Sequence, residues 1–225
     1  DVNIEEDIVE EVARIYGYHN LPSTLMTGQI PAEAPLEQFE FEEKVKNIIS
    51  GWGGVEVYTS SLVPKDYVKD TTLRLKNPLG IDLEYLRTSM MPSLVLAAKE
   101  NVGTFEKFHL FEMANVYIPR KYDLPEERLI LAGIFEGFEY RSAKGIIEAF
   151  FQKLNIEEEF IPDEEEGFAP GKLLTIKNLA KFGAVENSSF MYYEFEIEKL
   201  FKLSQTTRAY KDIPKYPPQI EDITF

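Results

Sequence analysis

Two apolar runs with strand character lie close together in this chain, Phe105 to Ile118 and Leu129 to Phe135, separated only by a polar loop over 119–128. Aromatic and β-branched residues at that density, with Gly103 as a stop ahead of them, predict a long antiparallel hairpin. A sheet is therefore the expected framework. Further strands are expected over 55–63, 71–76, 157–161, 172–177 and 190–197, and an extended piece over 83–88 ahead of a helix. Helical periodicity marks the segments between them. Ile4, Ile8, Val12, Ile15 and Tyr16 predict a helix over 4–18, with Asn3 and Glu6 as a cap signature. Phe39, Val45, Ile48 and Ile49 predict one over 36–50, ended by Gly51 and the Gly53-Gly54 pair. Pro92 opens a helix over 91–102, the stripe Ile146, Ile147, Phe150, Phe151 and Leu154 defines one over 141–154, and a short one follows over 197–203. Pro22, Pro31 and Pro35 make 20–36 a linker. Helices and hairpin-connected strands alternate without the regular rhythm of a doubly wound sheet, so the expected class is α+β with a largely antiparallel sheet.

The chain has 225 residues, 44% of them apolar, which suits one large or two small domains with a real core. No apolar run approaches the roughly eighteen residues of a membrane span, and the opening stretch lacks a signal core, so a soluble chain without its own export signal is expected. Cysteine is absent, which excludes disulfides, thiolate metal sites and cysteine nucleophiles, and suits a reducing interior. The formal net charge of −15 repels a phosphate backbone, which argues against nucleic-acid binding by this chain alone. Asp1 opens the sequence without an initiating Met, and Pro217 to Phe225 stops inside an alternating pattern. We read the chain as a segment of a longer polypeptide.

Chemistry-bearing patterns are few. Asp7, Glu10 and Glu11 share one face of the first helix, and Asp1 just ahead of it can fold back toward them. Oxygen-only ligands of this kind point to a hard cation such as magnesium; the plainer reading is a solvated acidic face at a helix N-terminus, favoured by the helix dipole. His19 at a helix end and His109 between Phe108 and Leu110 have no suggestive partners, and packing explains both better than catalysis. Gly51-Trp52-Gly53-Gly54 follows a helix and precedes a strand, the wrong order for a phosphate cradle, so it is a chain reversal. Phe190, Tyr192, Tyr193 and Phe195 carry no interleaved basic residues and are expected in a core or interface. Asp163 to Glu166 is expected to be a solvated loop.

The opening run Asp1-Val2-Asn3-Ile4-Glu5-Glu6-Asp7-Ile8-Val9-Glu10-Glu11-Val12-Ala13-Arg14-Ile15-Tyr16-Gly17-Tyr18 resembles a stretch near the middle of the bacterial phenylalanyl-tRNA synthetase beta chain. Asn77-Pro78-Leu79, Leu86-Arg87-Thr88-Ser89 with Pro92, Leu110-Phe111-Glu112, Leu124-Pro125-Glu126-Glu127-Arg128 and Phe168-Ala169-Pro170-Gly171 resemble later landmarks of that family in the same order. The resemblance spans essentially the whole chain. It implies a class II synthetase catalytic-like fold, an antiparallel sheet flanked by helices, that has no catalytic residues of its own. It implies residues 1–20 as the last helix of a preceding helix-winged domain, 21–35 as a linker, 36–212 as the catalytic-like core and 213–225 as the threshold of a ferredoxin-like region. There the family's basic pair before Asp is replaced by Ile220-Glu221.

Function follows as a further implication: a platform for the catalytic alpha chain in a cytoplasmic heterotetramer of two alpha and two beta chains. That enzyme charges tRNA with phenylalanine at the expense of ATP; tRNA is met through the whole assembly. The residues agree with lost catalysis, because such a site needs fixed arginines to meet phosphate charge. The run 105–118 contains no Arg, and 190–203 contains neither Gly nor Arg. The family's magnesium, shared with the alpha chain, falls on Asp1, Asp7, Glu10 and Glu11. Helices 36–50 and 91–102 are the expected interface, with exposed apolar surface as its sign. The rival reading is an independent magnesium-dependent enzyme using those carboxylates on a phosphoryl substrate; an RNA-binding module is a weaker third.

Overall fold

The hairpin expected in mid-chain is the spine of a seven-stranded sheet. The computed structural model describes residues 2–25, 27–28, 36–68, 73–157, 159–176, 179–205, 216 and 221–222. Asp1 and most of 213–225 lie outside them, as do the expectations placed there. The chain divides into two units, Asp1–Pro35 and Leu36–Phe225.

The first unit is built on one helix, α1 (Glu5–Tyr16). Its start is held by Asp7, whose Oδ2 accepts the backbone N–H groups of Asn3 and Ile4 at 2.7 and 3.1 Å. The cap is therefore a carboxylate reaching backward from inside the helix, in place of the expected Asn3 and Glu6 pairing. Gly17 ends the helix at φ +94°, a left-handed conformation that side-chain-bearing residues rarely adopt. No residue of α1 is buried.

The second unit runs α2 (Glu37–Gly51), β1 (Gly54–Glu56), β2 (Leu62–Val63), β3 (Tyr85–Leu86), α3 (Met91–Asn101), β4 (Phe108–Ile118), β5 (Glu126–Glu136), α4 (Tyr140–Lys153), β6 (Ile161–Asp163), β7 (Phe168–Ile176), β8 (Ala180–Val185), β9 (Met191–Glu196) and α5 (Ile197–Leu203). The large sheet has the order β1-β4-β5-β9-β8-β7-β6, and β2 pairs with β3 separately. Among the described strands of this sheet, only the edge pair β1–β4 is parallel; every other neighbour is antiparallel. β4 and β5 pair in unbroken register from Phe108↔Glu136 to Ile118↔Glu126, which bears out the hairpin and the largely antiparallel class.

Side-chain alternation gives this sheet two faces. Phe111, Met113, Leu131, Phe135, Tyr193 and Phe195 face α2, α4 and α5 in one core cluster. Leu110, Val116, Ala132, Ile134 and Tyr192 belong to a second cluster with Met90, Leu94 and Ala98 around α3. Two glycines permit the first packing. A Cβ at Gly54 would lie 2.6 Å from Ile49 Cγ2, so its absence lets α2 turn tightly onto β1. At Gly133 a Cβ would overlap the Tyr193 phenol, which occupies that space instead.

Several expectations need correction. The run 55–63 is broken into β1 and β2, because the backbone N–H and hydroxyl of Thr59 turn to the Glu112 carboxylate. Of the strand expected over 71–76, residues 71–72 lie outside the described residues and Arg74 makes only an isolated bridge to Tyr85. The stripe of α2 is Phe41, Val45 and Ile49, while Phe39 is exposed, since a four-residue step outlines the buried face. β6 begins four residues later than expected, and β8 was not foreseen because Lys181 and Gly183 interrupt its apolar character. Asp163 to Glu166 is more than a solvated loop: Asp163 ends β6, and Glu165 is paired with Lys181.

Candidate functional site

The sheet face bearing α3 is only partly covered. Beside the helix lies a cavity of about 740 Å³, reached by β4 through β9 and by the segment leading into α3. Its floor is apolar, with Val116, Ile118, Ile130 and Tyr192. Its walls carry four carboxylates, Asp163, Glu165, Glu194 and Glu196, against three cations, Arg128, Lys181 and Lys199.

Each cation has a carboxylate partner. Lys181 Nζ lies 2.7 Å from Glu165 and 3.4 Å from Glu194. Burial pulls the Lys181 pKa down, but the two glutamates outweigh it and hold the pKa above the usual lysine value. Lys199 Nζ is 2.6 Å from Glu196. The Arg128 guanidinium donates to Glu126 at 2.6 Å, and that carboxylate also meets Arg120 at 3.2 Å. The Tyr192 hydroxyl donates to Glu194 at 2.7 Å; burial, followed by the Glu194 charge, pushes its pKa well above the usual tyrosine value. A nucleotide needs cations with spare charge aimed at its phosphates. This cavity offers a carboxylate surplus.

Among the described residues the most buried cation lies outside this lining and is equally engaged. Arg87, 1% exposed, donates to Thr59 Oγ1 at 2.8 Å, to the Asn115 carbonyl at 3.1 Å and to Glu112 Oε1 at 3.3 Å. Glu112 accepts the Thr59 hydroxyl at 2.6 Å on its other oxygen. A buried ion pair survives only when its remaining donors and acceptors are met, and here they are. Arg87 thus ties the start of α3 to β4 as an internal strut. Neither residue stood out in the sequence as a site, although a charge at Glu112 inside so apolar a strand was the available signal.

On the opposite face His109 is buried, as expected of a packed strand histidine. Its ring stacks on Phe135 at 4.1 Å, and Nε2 lies 2.9 Å from the Tyr193 hydroxyl. Nδ1 has no hydrogen-bond partner, and burial lowers the pKa from 6.5 to about 3, so the ring is neutral. Phe190, Tyr192, Tyr193 and Phe195 are all buried, in agreement with a packing role.

The expected metal ligands are placed as follows. Asp1 lies outside the described residues. Asp7 is engaged as a cap, and those two backbone N–H groups lower its pKa. Glu11 pairs with Arg14, whose Nε is 3.0 Å away, and Glu10 is exposed. Among the described residues no three Asp, Glu or His side chains converge to hold a metal ion. The rival phosphoryl enzyme rests on the same four acids, Asp1, Asp7, Glu10 and Glu11, and finds no support among the described residues.

Residues 21–186 match the model of the phenylalanyl tRNA synthetase beta chain CLM domain. The chain belongs to that family. It is 31% identical over its whole length to the phenylalanine–tRNA ligase beta subunit of Clostridium tetani and 30% to that of Geobacter metallireducens, covering 32% and 33% of those proteins. The beta subunit of Carboxydothermus hydrogenoformans is 36% identical over 69% of the chain and 22% of its own length. The chain thus spans about a third of the first two beta subunits. Among solved structures, a pyrrolysyl tRNA synthetase of Desulfitobacterium hafniense superposes with a TM-score of 0.57 at 15% identity, over 75% of this chain and 70% of that one. This chain therefore shares its fold with that synthetase, and each cation of its sheet-face cavity is paired with a carboxylate.

Proposed function

We propose that this chain is the non-catalytic core of a phenylalanine–tRNA ligase beta subunit, a platform on which a catalytic alpha subunit assembles. The observation that carries the reading is the sheet-face cavity, where carboxylates outnumber cations and every cation has a carboxylate partner. The burial of Arg87 supports it, since a guanidinium spent on Glu112 is not offered to phosphate. In this reading ATP, phenylalanine and the acceptor end of tRNA are handled by the alpha subunit, in a cytoplasmic assembly of two alpha and two beta chains.

Apolar surface is available for such a partner. Phe39 on α2, Trp52 and Val55 just beyond it, and Leu96, Val102 and Phe105 in and after α3 are exposed. These are the two helical regions expected at the interface, and exposed apolar side chains there favour burial by another polypeptide. The apolar face of α1, with Ile8, Val12 and Ile15, is likewise uncovered. Magnesium enters this proposal only as a shared ion. Asp7, Glu10 and Glu11, with Asp1, supply hard oxygen donors, and the alpha subunit supplies the rest of the shell.

The test is sedimentation of the beta chain mixed with its alpha subunit, alongside calorimetric titration of the beta chain with ATP. Stable association and no ATP heat are expected, and EDTA weakens the association. A folded beta chain that ignores the alpha subunit, or takes ATP by itself, overturns the proposal.

A further inference from the structure

The run 57–61, between β1 and β2, belongs to no strand. Val57 donates its N–H to the Phe111 carbonyl at 2.8 Å, and beyond it two side chains take over. Glu112, from β4, accepts the Thr59 N–H at 3.2 Å and the Thr59 hydroxyl at 2.6 Å. Arg87, four residues ahead of α3, donates to that hydroxyl at 2.8 Å and to the Ser60 carbonyl at 3.5 Å. Its backbone N–H meets the Ser61 carbonyl at 2.9 Å. β2 and β3 add the pairs Leu62↔Leu86 and Val63↔Tyr85 next to it. One guanidinium and one carboxylate thus clamp a loop, a strand and the lead into a helix. For stability alone this is a poor choice, because an apolar pair of similar volume serves a core as well or better. What a fully satisfied buried network does better is fix a single arrangement.

Exposed apolar side chains flank the clamp along the chain. Trp52 and Val55 precede it, Tyr58 stands one residue before Thr59 and is 82% exposed, and Leu96, Val102 and Phe105 follow it in and after α3. We propose that Arg87 and Glu112 are positioning residues for the alpha-subunit interface: they hold Tyr58 and the start of α3 in the one arrangement that the partner meets. The inference rests on the platform reading and adds to it the residues that shape the surface. Both side chains are buried, at 1% and 2% exposure, so they act through the groups they hold. Ordering the surface before association removes that entropy cost from binding.

The test titrates the full-length beta chain with its alpha subunit by sedimentation, beside denaturant unfolding and amide exchange of each variant. Arg87→Met strands the Glu112 carboxylate in the interior, and both stability and association fall. Arg87→Met combined with Glu112→Leu removes the two charges together, and the unfolding midpoint returns close to that of the native sequence. Association nonetheless stays roughly tenfold weaker, a change of the size expected when one or two side chains must be ordered anew. Thr59→Val keeps the ion pair but releases the segment, and weakens association roughly threefold or more. Amide exchange at residue 59 is faster in both, a local opening that global stability does not set. A folded double variant, or a Thr59→Val chain, that binds the alpha subunit as tightly as the native sequence overturns the inference, and so does unaltered exchange at residue 59. A native chain that ignores the alpha subunit is a different result: it brings down the platform reading, and this inference with it.

Discussion

The two faces of the sheet are written by the same strands and have opposite characters. One is sealed: α2, α4 and α5 cover it, and rings interlock across it, with Phe150 stacked on Phe195 at 5.2 Å and Phe151 edge-on to the same ring at 5.3 Å. The other is sealed only where α3 lies, and beyond it opens into a cavity lined by ion pairs. The difference teaches where stability and recognition reside. A close-packed face loses energy with each atom removed, whereas a solvated ion-paired face tolerates change and is free to meet other molecules.

The largest effect should come from emptying the sealed face. Phe150→Ala removes a ring that is 1% exposed, and a loss of about 3–5 kcal/mol is expected in denaturant unfolding. A loss below ~1 kcal/mol would mean that this face is no better packed than the other. The next effect sharpens the comparison through pH. His109 stays neutral in the folded chain down to about pH 3, while the unfolded histidine takes up a proton near 6.5. The unfolded state therefore binds the extra proton, and stability falls as pH drops below 6.5, by up to ~1.4 kcal/mol per pH unit. Chemical denaturation at a series of pH values between neutrality and about pH 5 reads this slope, and His109→Phe should flatten it. The smallest effect belongs to the open face. Lys199→Met, which removes a partly exposed partner of Glu196, should shift unfolding by less than ~1 kcal/mol. A larger loss would make the cavity wall part of the structural core.

Much of the fold was readable because two periodicities carry it. The hairpin, α4 and α5 emerge where apolar spacing is regular over many residues, and there the structure follows the expected segments within a few residues. The failures sit where one strong polar contact overrides the local pattern. Thr59, bound to Glu112, ends a strand that Val55, Val57 and Tyr58 would otherwise continue. β8 escaped notice because Lys181 and Gly183 serve tertiary needs: the lysine binds Glu165 and Glu194, and a Cβ at Gly183 would lie 2.7 Å from the Phe168 ring. The candidate site was less legible still. Arg87 and Glu112 stand far apart in sequence within separate landmarks, and the cavity acids come from two strands, β6 and β9, and the turn after β6.

Composition, spacing and the ordered landmarks were enough to establish a mostly antiparallel α+β chain of the synthetase beta family, without a phosphate-binding arginine on its long strand. Such features are local, since a helical or strand period is set by neighbours along the chain. Which cations remain free is not local. Whether Arg87, Lys181 or Arg128 meets a ligand or an internal carboxylate depends on residues brought together only when β4 through β9 align, because electrostatic partnership is set by distance in space.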